Sequence, residues 1–349
     1  MSSRGSDRRA PRRGGLAAGA GARAARSVLL LVAALLCGAA GRPAAAEGAW
    51  PARGLKLIVP FPAGGSADFL GRILARRLAE DFGQPVVVEN RAGAGGTIGI
   101  DAVAKAPADG YTIGFGTVST LALAPSTYSR LPYDPVNGLA PIGQVAVAPV
   151  LLAVGSAVPA RSVRELVELA RQHPGTLNYA SIGNGTLHHF AGETFRQITG
   201  AEIVHVPYKG AAPALVALLS GEVQILIDQL ASFQVQNFQS GRLRALLVTG
   251  TARLSQLPEV PTAAEAGIPG FDISTWFGIV APRGIPAEAA QRLNASLRQA
   301  VATPELRSAF AAQGVEASGG SAEQFAHLIA EENIRWAKLV RAIGFKAEP

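Results

Sequence analysis

A serine hydrolase needs its nucleophile on a sharp strand-to-helix turn of the form G-x-S-x-G. The nearest run, Tyr179-Ala180-Ser181-Ile182-Gly183, lacks the first glycine. No glycine-rich loop ends in G-K-S or G-K-T, so a P-loop is excluded. The run Gly93-Ala94-Gly95-Gly96-Thr97-Ile98-Gly99 has the look of a dinucleotide fingerprint. Ile98 takes the third glycine's place, however, and no acidic residue ends a strand about 20 residues on. His189 and Glu193, with His188 beside them, could share a helix face as metal ligands do, but no third ligand is visible. The chain therefore holds no assembled acid, base and nucleophile. The expectation is capture of a ligand, with no catalytic residue, no metal and no cofactor.

Two other runs have a chemistry of their own. Pro60-Phe61-Pro62-Ala63-Gly64-Gly65-Ser66-Ala67-Asp68 and Ala180-Ser181-Ile182-Gly183-Asn184-Gly185-Thr186 each end an apolar strand and open a helix. Helix N-termini carry unpaired N–H groups and the positive end of the helix dipole, which together bind anions. Glycine lets a ligand approach the backbone, and Ser66 or Thr186 can add a hydroxyl donor. Neither run contains Lys or Arg, so small organic acids suit them better than multiply charged phosphates. Asp68, in the first turn of its helix, complements the dipole and reads as structural.

These loops need strands and helices to position them, and the sequence alternates the two. Leu55–Phe61 is an apolar strand, followed by a helix from about Ser66 to Phe82 with Leu70, Ile73, Leu74 and Leu78 on one face and Gly83 as its stop. Further strands are expected at Pro85–Glu89, Tyr111–Phe115, Val150–Val154, Leu177–Ala180, Glu202–Val206, Val223–Ile227 and Leu243–Val248. Capping boxes Ser162-x-x-Glu165 and Ser321-x-x-Gln324 open two helices, and Pro286 and Thr303-Pro304 open two more. This alternation predicts α/β layers with largely parallel sheets.

The formal charge of +7 does not mark a nucleic-acid surface, because residues 1–46 hold eight Arg and one Asp. The remainder carries 24 basic and 24 acidic residues and is neutral. An Arg-rich start, an apolar run from Val28 to Cys37, and Ala44-Ala45-Ala46 before Glu47 read as an export signal over 1–46. The apolar run is too short for a membrane anchor. Leu36 is bulky for a lipidation site at Cys37, and Arg8-Arg9 and Arg12-Arg13 lack the residues that follow a twin-arginine signal. Cleavage would leave a cysteine-free protein in the periplasm.

Over about 55–348 the sequence resembles the Bug family, the extracytoplasmic solute receptors of tripartite tricarboxylate transporters. The resemblance is carried by VPFPAGGSAD (59–68), GQPVVVENRAGAGGTIG (83–99), DGYTIGFGT (109–117), LPYDP (131–135) and PGTLNYASIGNGTLHHFAGETF (174–195). It continues through VHVPYKGAAPAL (204–215), GEVQILID (221–228), LRALLVTG (243–250), LPEVPTAAEAG (257–267) and WFGIVAPRGIP (276–286). It implies a type II periplasmic-binding-protein fold, two α/β domains closing on a ligand cleft. The expected division is 47–148 with 272–349 as one domain and 149–271 as the other, joined by two crossing strands. It also implies ligand contacts from Phe61, Ala63, Gly64, Gly65, Ser66 and Asp68 in the first loop. Ser181, Gly183, Asn184, Gly185, Thr186 and His189 would contribute from the second, with Tyr208 and Asp228 as further contacts. Ala67, Gly71 and Gln229 depart from the family's usual residues. The implied role is a monomer that delivers a small organic carboxylate to a tripartite tricarboxylate transporter in the membrane, with no nucleic-acid partner. A periplasmic sensing subunit that hands its ligand to a signalling receptor is the alternative, and a periplasmic hydrolase the third choice.

Overall fold

The computed structural model describes residues 50–345. Strand β1 (Leu55–Val59) runs into helix α1 (Ser66–Phe82), then β2 (Val86–Asn90), α2 (Thr97–Ala104), β3 (Thr112–Thr117) and the short α3 (Ala124–Thr127). The alternation of β1 explains the layering. Leu57 and Val59 pack with Leu70, Leu74 and Leu78 of α1, while Ile58 faces Ile100 and Val103 of α2 on the other side. Each such fully buried leucine contributes about 1.5–3 kcal/mol of burial. Gly71 lets α1 lie close, since a Cβ there would stand 2.9 Å from Val59 Cγ2. Gly83 ends the helix in the left-handed conformation, φ 63°.

Two strands absent from the sequence reading, β4 (Leu139–Pro149) and β10 (Ser274–Pro282), complete the first sheet with the short β11 (Glu316–Ala317). Its order is β11-β4-β10-β3-β1-β2. Strand β1 is parallel to β2 and β3, but β10 is antiparallel to both β3 and β4. The second sheet comprises β5 (Leu151–Gly155), β6 (Leu177–Ser181), β7 (Ile203–Pro207), β8 (Ile225–Asp228) and β9 (Leu243–Val248), in the order β7-β6-β8-β5-β9. Here too β6 is parallel to β7 and β8 while β5 is antiparallel to β8 and β9. The expectation of largely parallel sheets is corrected to two mixed sheets. The reason is that β4 and β10 in the first sheet and β5 in the second adjoin the passages between the layers instead of closing βαβ units.

Chain passes from the first sheet to the second at Val150 and returns through residues 249–273. The two passages touch: Val150 N–H donates to Thr249 Oγ1 at 2.8 Å, and Thr249 N–H donates to the Val150 carbonyl at 2.9 Å. Helices α4 (Val163–Gln172), α5 (Leu187–Thr199) and α6 (Ala211–Ser220) cover the second sheet, with α7 (Ser232–Gln239) near β9. Helices α8 (Ala287–Ala302), α9 (Pro304–Ala311) and α10 (Ala322–Ile343) return to the first.

The caps follow the sequence in part. At α10 the Ser321 and Gln324 side chains exchange both bonds of a capping box. At α4 the Glu165 carboxylate takes the Arg161 N–H instead of that of Ser162. Pro286 sits one position ahead of α8, with extended ψ 137°, and is the cap, not the first helical residue. The leader and Cys37 lie outside the described residues.

Candidate functional site

The C-terminal ends of β1, β3, β6 and β8 and the start of β10 open into one cleft between the sheets, enclosing ≈ 550 Å³ of empty space with its open mouth included. Open α/β sheets gather ligands at such strand ends. The first layer lines it with Phe61, Pro62, Ala63, Gly65, Ser66, Ala67, Thr117, Ser119, Thr275 and Phe277. The second contributes Ile182, His188, Gly210, Ala211, Ala212, Pro213 and Gln229. No lining residue is Asp, Glu, Lys or Arg. His188 apart, an anion here would meet only neutral donors.

The first of those donor sets is the start of α1. The helix ladder begins with Phe69 N–H to the Gly65 carbonyl at 3.0 Å, so the amides of Ser66, Ala67 and Asp68 precede it. Ser66 Oγ is buried and has no hydrogen-bond partner among the described residues. Asp68 does not line the cleft; it holds the loop in shape. Its carboxylate accepts from Gly64 N–H at 3.0 Å and Asn90 Nδ2 at 2.9 Å, and pairs with Arg72 at 2.9 Å. Asn90 also donates to the Phe61 carbonyl at 3.1 Å. Burial would push the Asp68 carboxyl upward, but Arg72, the Gly64 N–H and Asn90 outweigh it and hold the group below the usual carboxylate range. Gly64, at φ +85°, makes the turn and is likewise off the cleft wall.

A second donor set was not singled out from the sequence. Helix α6 opens at Gly210, φ +115°, and its ladder begins with Ala214 N–H to the Gly210 carbonyl. Pro213 sits in the first turn, where it has no N–H to leave unpaired. The amides of Ala211 and Ala212 thus stand at the cleft wall, with the dipole behind them. A Cβ on Gly210 would lie 3.1 Å from Pro62 Cγ, so the starts of α1 and α6 close on one another. The available signal was the strand–glycine–helix order of PYKGAAPAL, whose Lys209 is exposed.

The loop before α5 stands mostly behind the cleft wall. Only Ile182 of that loop lines the cleft; Ser181, Gly183, Asn184, Gly185 and Thr186 do not. Its polar groups are engaged with one another. Thr186 Oγ1 donates to the Gly183 carbonyl at 2.7 Å, and Ser181 Oγ meets His205 Nε2 at 2.7 Å and accepts from Gly183 N–H at 3.2 Å. Gly185 N–H donates to His189 Nδ1 at 3.3 Å. Leu187 N–H, the first amide of α5, donates to Ser119 Oγ of the first layer at 3.0 Å.

His189 lies off the cleft, stacked on His205 at 3.7 Å between ring centroids and 8° between planes. Burial, with the Arg196 charge, pushes His189 down to about 4; burial, with the His189 charge, pushes His205 down to about 3. His189 Nε2 stands 4.0 Å from Glu193, yet no group of three or more metal-ligating side chains occurs among the described residues. Tyr208 is also off the cleft; its hydroxyl donates to Glu222 at 2.7 Å, and burial with that carboxylate pushes it up to about 12. Asp228 is buried behind His188, with Oδ1 3.2 Å from His188 Nε2.

Two α/β layers crossed twice by the chain, with helix N-termini facing a shared cleft, define the type II periplasmic-binding-protein fold, which solved periplasmic transport proteins share. Residues 70–345 match the model of the "Tripartite tricarboxylate transporter family receptor" proteins, and the chain belongs to that family of solute-binding receptors. It is 40% identical over 298 residues to BugT of Bordetella pertussis, covering 85% of this chain and 91% of BugT. A solved structure of R. palustris Rpa4515 with adipate has a TM-score of 0.82 at 38% identity, covering 86% of this chain and all of that one. MatC (Rpa3494) from Rhodopseudomonas palustris with bound malate has a TM-score of 0.78 at 31% identity, covering 83% of this chain and all of that one.

Proposed function

We propose that this receptor works in the periplasm, where it captures a small organic carboxylate and delivers it to a tripartite tricarboxylate-type membrane transporter. The observation that carries the reading is the cleft wall: two helix N-termini, α1 and α6, with the Ser66 hydroxyl on the first residue of α1, and no Asp, Glu, Lys or Arg. One carboxylate oxygen would take the Ser66 and Ala67 amides and Ser66 Oγ, and the other the Ala211 and Ala212 amides. Such charge-assisted bonds are about twice as strong as neutral ones, and exclusion of water strengthens them further. Phe61, Ala63, Ile182 and Phe277 would enclose the carbon skeleton.

In this reading Phe61, Ala63, Gly65 and Ser66 touch the ligand, and Gly64 and Asp68 hold their loop. Ser181, Gly183, Asn184, Gly185, Thr186 and His189 brace the start of α5, Tyr208 the strand end before α6, and Asp228 the His188 ring. The two lobes, 47–148 with 272–349 and 149–271, would close by bending at Val150 and Thr249 as hinge-closing proteins do. The adipate and malate bound to relatives of the same fold support a carboxylate as the ligand class. A thermal-shift screen of mono-, di- and tricarboxylates tests it, since a binder at a hundredfold over its Kd stabilises by about 2.7 kcal/mol. Stabilisation by acids but not by their amides is the expected result; no shift with any acid overturns the reading.

A further inference from the structure

His188 lines the cleft yet lies outside both donor sets. Its Nε2 stands 2.6 Å from Gln229 Oε1 and 3.2 Å from Asp228 Oδ1. Asp228 Oδ1 also accepts the Gln229 N–H at 2.9 Å, so this carboxylate faces the ring as an acceptor. A nitrogen held between two acceptors carries the ring hydrogen, and in a neutral imidazole the other nitrogen then presents a lone pair. That other nitrogen, Nδ1, is buried and has no hydrogen-bond partner among the described residues, on a side chain only 3% exposed. We propose that His188 Nδ1 is a specificity-determining acceptor for a hydroxyl on the ligand, so that the receptor prefers hydroxy acids to their hydroxyl-free counterparts.

The inference rests on the carboxylate reading and extends it. The helix N-termini would fix one end of the ligand; the opposite demand comes from Nδ1, because a lone pair backed by the Asp228 carboxylate repels a second anionic group. Asp228 is the charged group in contact with the ring, and the lining residues add no other formal charge to counter it. An unmet buried acceptor discriminates against a ligand that lacks the donor more sharply than apolar contact discriminates by size. Gln229 and Asp228 act here as positioning residues, since they fix the tautomer and touch only the ring.

The test is calorimetric titration with three pairs of acids of matched skeleton: succinate and malate, propanoate and lactate, benzoate and 4-hydroxybenzoate. In at least one pair the hydroxy acid should bind about tenfold or more tightly to the wild-type protein. His188→Gln keeps an amide N–H able to reach Asp228 but puts no atom in the place of Nδ1. It should bind both members of that pair with equal affinity, so that the hydroxyl preference is lost, an outcome that a merely structural role for His188 would not produce. Equal or reversed order in every wild-type pair overturns the proposal, as does a hydroxyl preference that survives in His188→Gln. If that variant fails to fold, the wild-type pairs still decide. If none of the six binds, the pair is formed from the tightest acid of the carboxylate screen and its hydroxy or hydroxyl-free counterpart and read in the same way; a screen in which no acid binds defeats the carboxylate reading itself, which separates the two failures.

Discussion

Ser66→Ala should move affinity and stability in different directions. The Ser66 hydroxyl is 2% exposed and unpartnered, so alanine removes a buried polar atom without breaking a bond among the described residues. An unsatisfied buried group costs about 1–3 kcal/mol, and alanine is the better helix former by a few tenths, so the free protein should be as stable as the wild type or more stable. With a carboxylate bound, the same change deletes one hydrogen bond to a charged group, a loss of about 1.5–3 kcal/mol. At about 1.4 kcal/mol per decade, Kd should rise about tenfold to a hundredfold. Calorimetric titration of the tightest acid from the screen reads the affinity, and thermal denaturation of the free protein reads the stability. An affinity within twofold of wild type would refute the hydroxyl's place in the grip. A fall in melting temperature alongside the loss of affinity would show that the loop itself had collapsed.

Stability should fall in acid: His189 and His205 stay neutral in the folded protein down to about 4 and about 3, whereas the unfolded chain protonates near pH 6.5. The unfolded state binds more protons in that window, so the melting temperature should be level above pH 7 and decline from about 6.5 toward 4; a flat profile between pH 7 and 5 contradicts the neutral stack. Asp68→Asn should destabilise by about 1–3 kcal/mol in chemical denaturation, since it weakens the ties to Gly64 and Arg72, and should weaken ligand binding through the loop. Mass spectrometry of the exported protein should find an N-terminus near Glu47; an intact leader or a lipid on Cys37 would overturn the processing expectation.

Local patterns made α1 readable to its ends, because the leucine spacing, Gly65 and Gly83 all lie within the segment they define. Strands β4 and β10 escaped because their register is set by partners far away in sequence. The run LAPIGQVAVAP is rich in Ala, Gly and Pro, and STWFGIVAP was visible only as a motif. Missing them made the first sheet look parallel; in the second, β5 was read as a strand, but nothing local shows that it runs antiparallel to β8 and β9. The first loop was legible for the same reason as α1: its donors and the Asp68 brace are near neighbours. The loop before α5 was not, since its Leu187 amide is taken by Ser119, 68 residues earlier, and its Ser181 by His205. No local pattern announces either partner. The place of α6 at the cleft depends on the approach of Gly210 to Pro62, which brings together residues nearly 150 positions apart.

The central claim, that a carboxylate is held by the starts of α1 and α6 without a formal cation, is tested most directly by a crystal structure with the tightest acid bound. Carboxylate oxygens are expected within about 2.7–3.2 Å of amides from both Ser66–Ala67 and Ala211–Ala212. A carboxylate paired with a lysine or arginine, or seated away from either helix start, would contradict it.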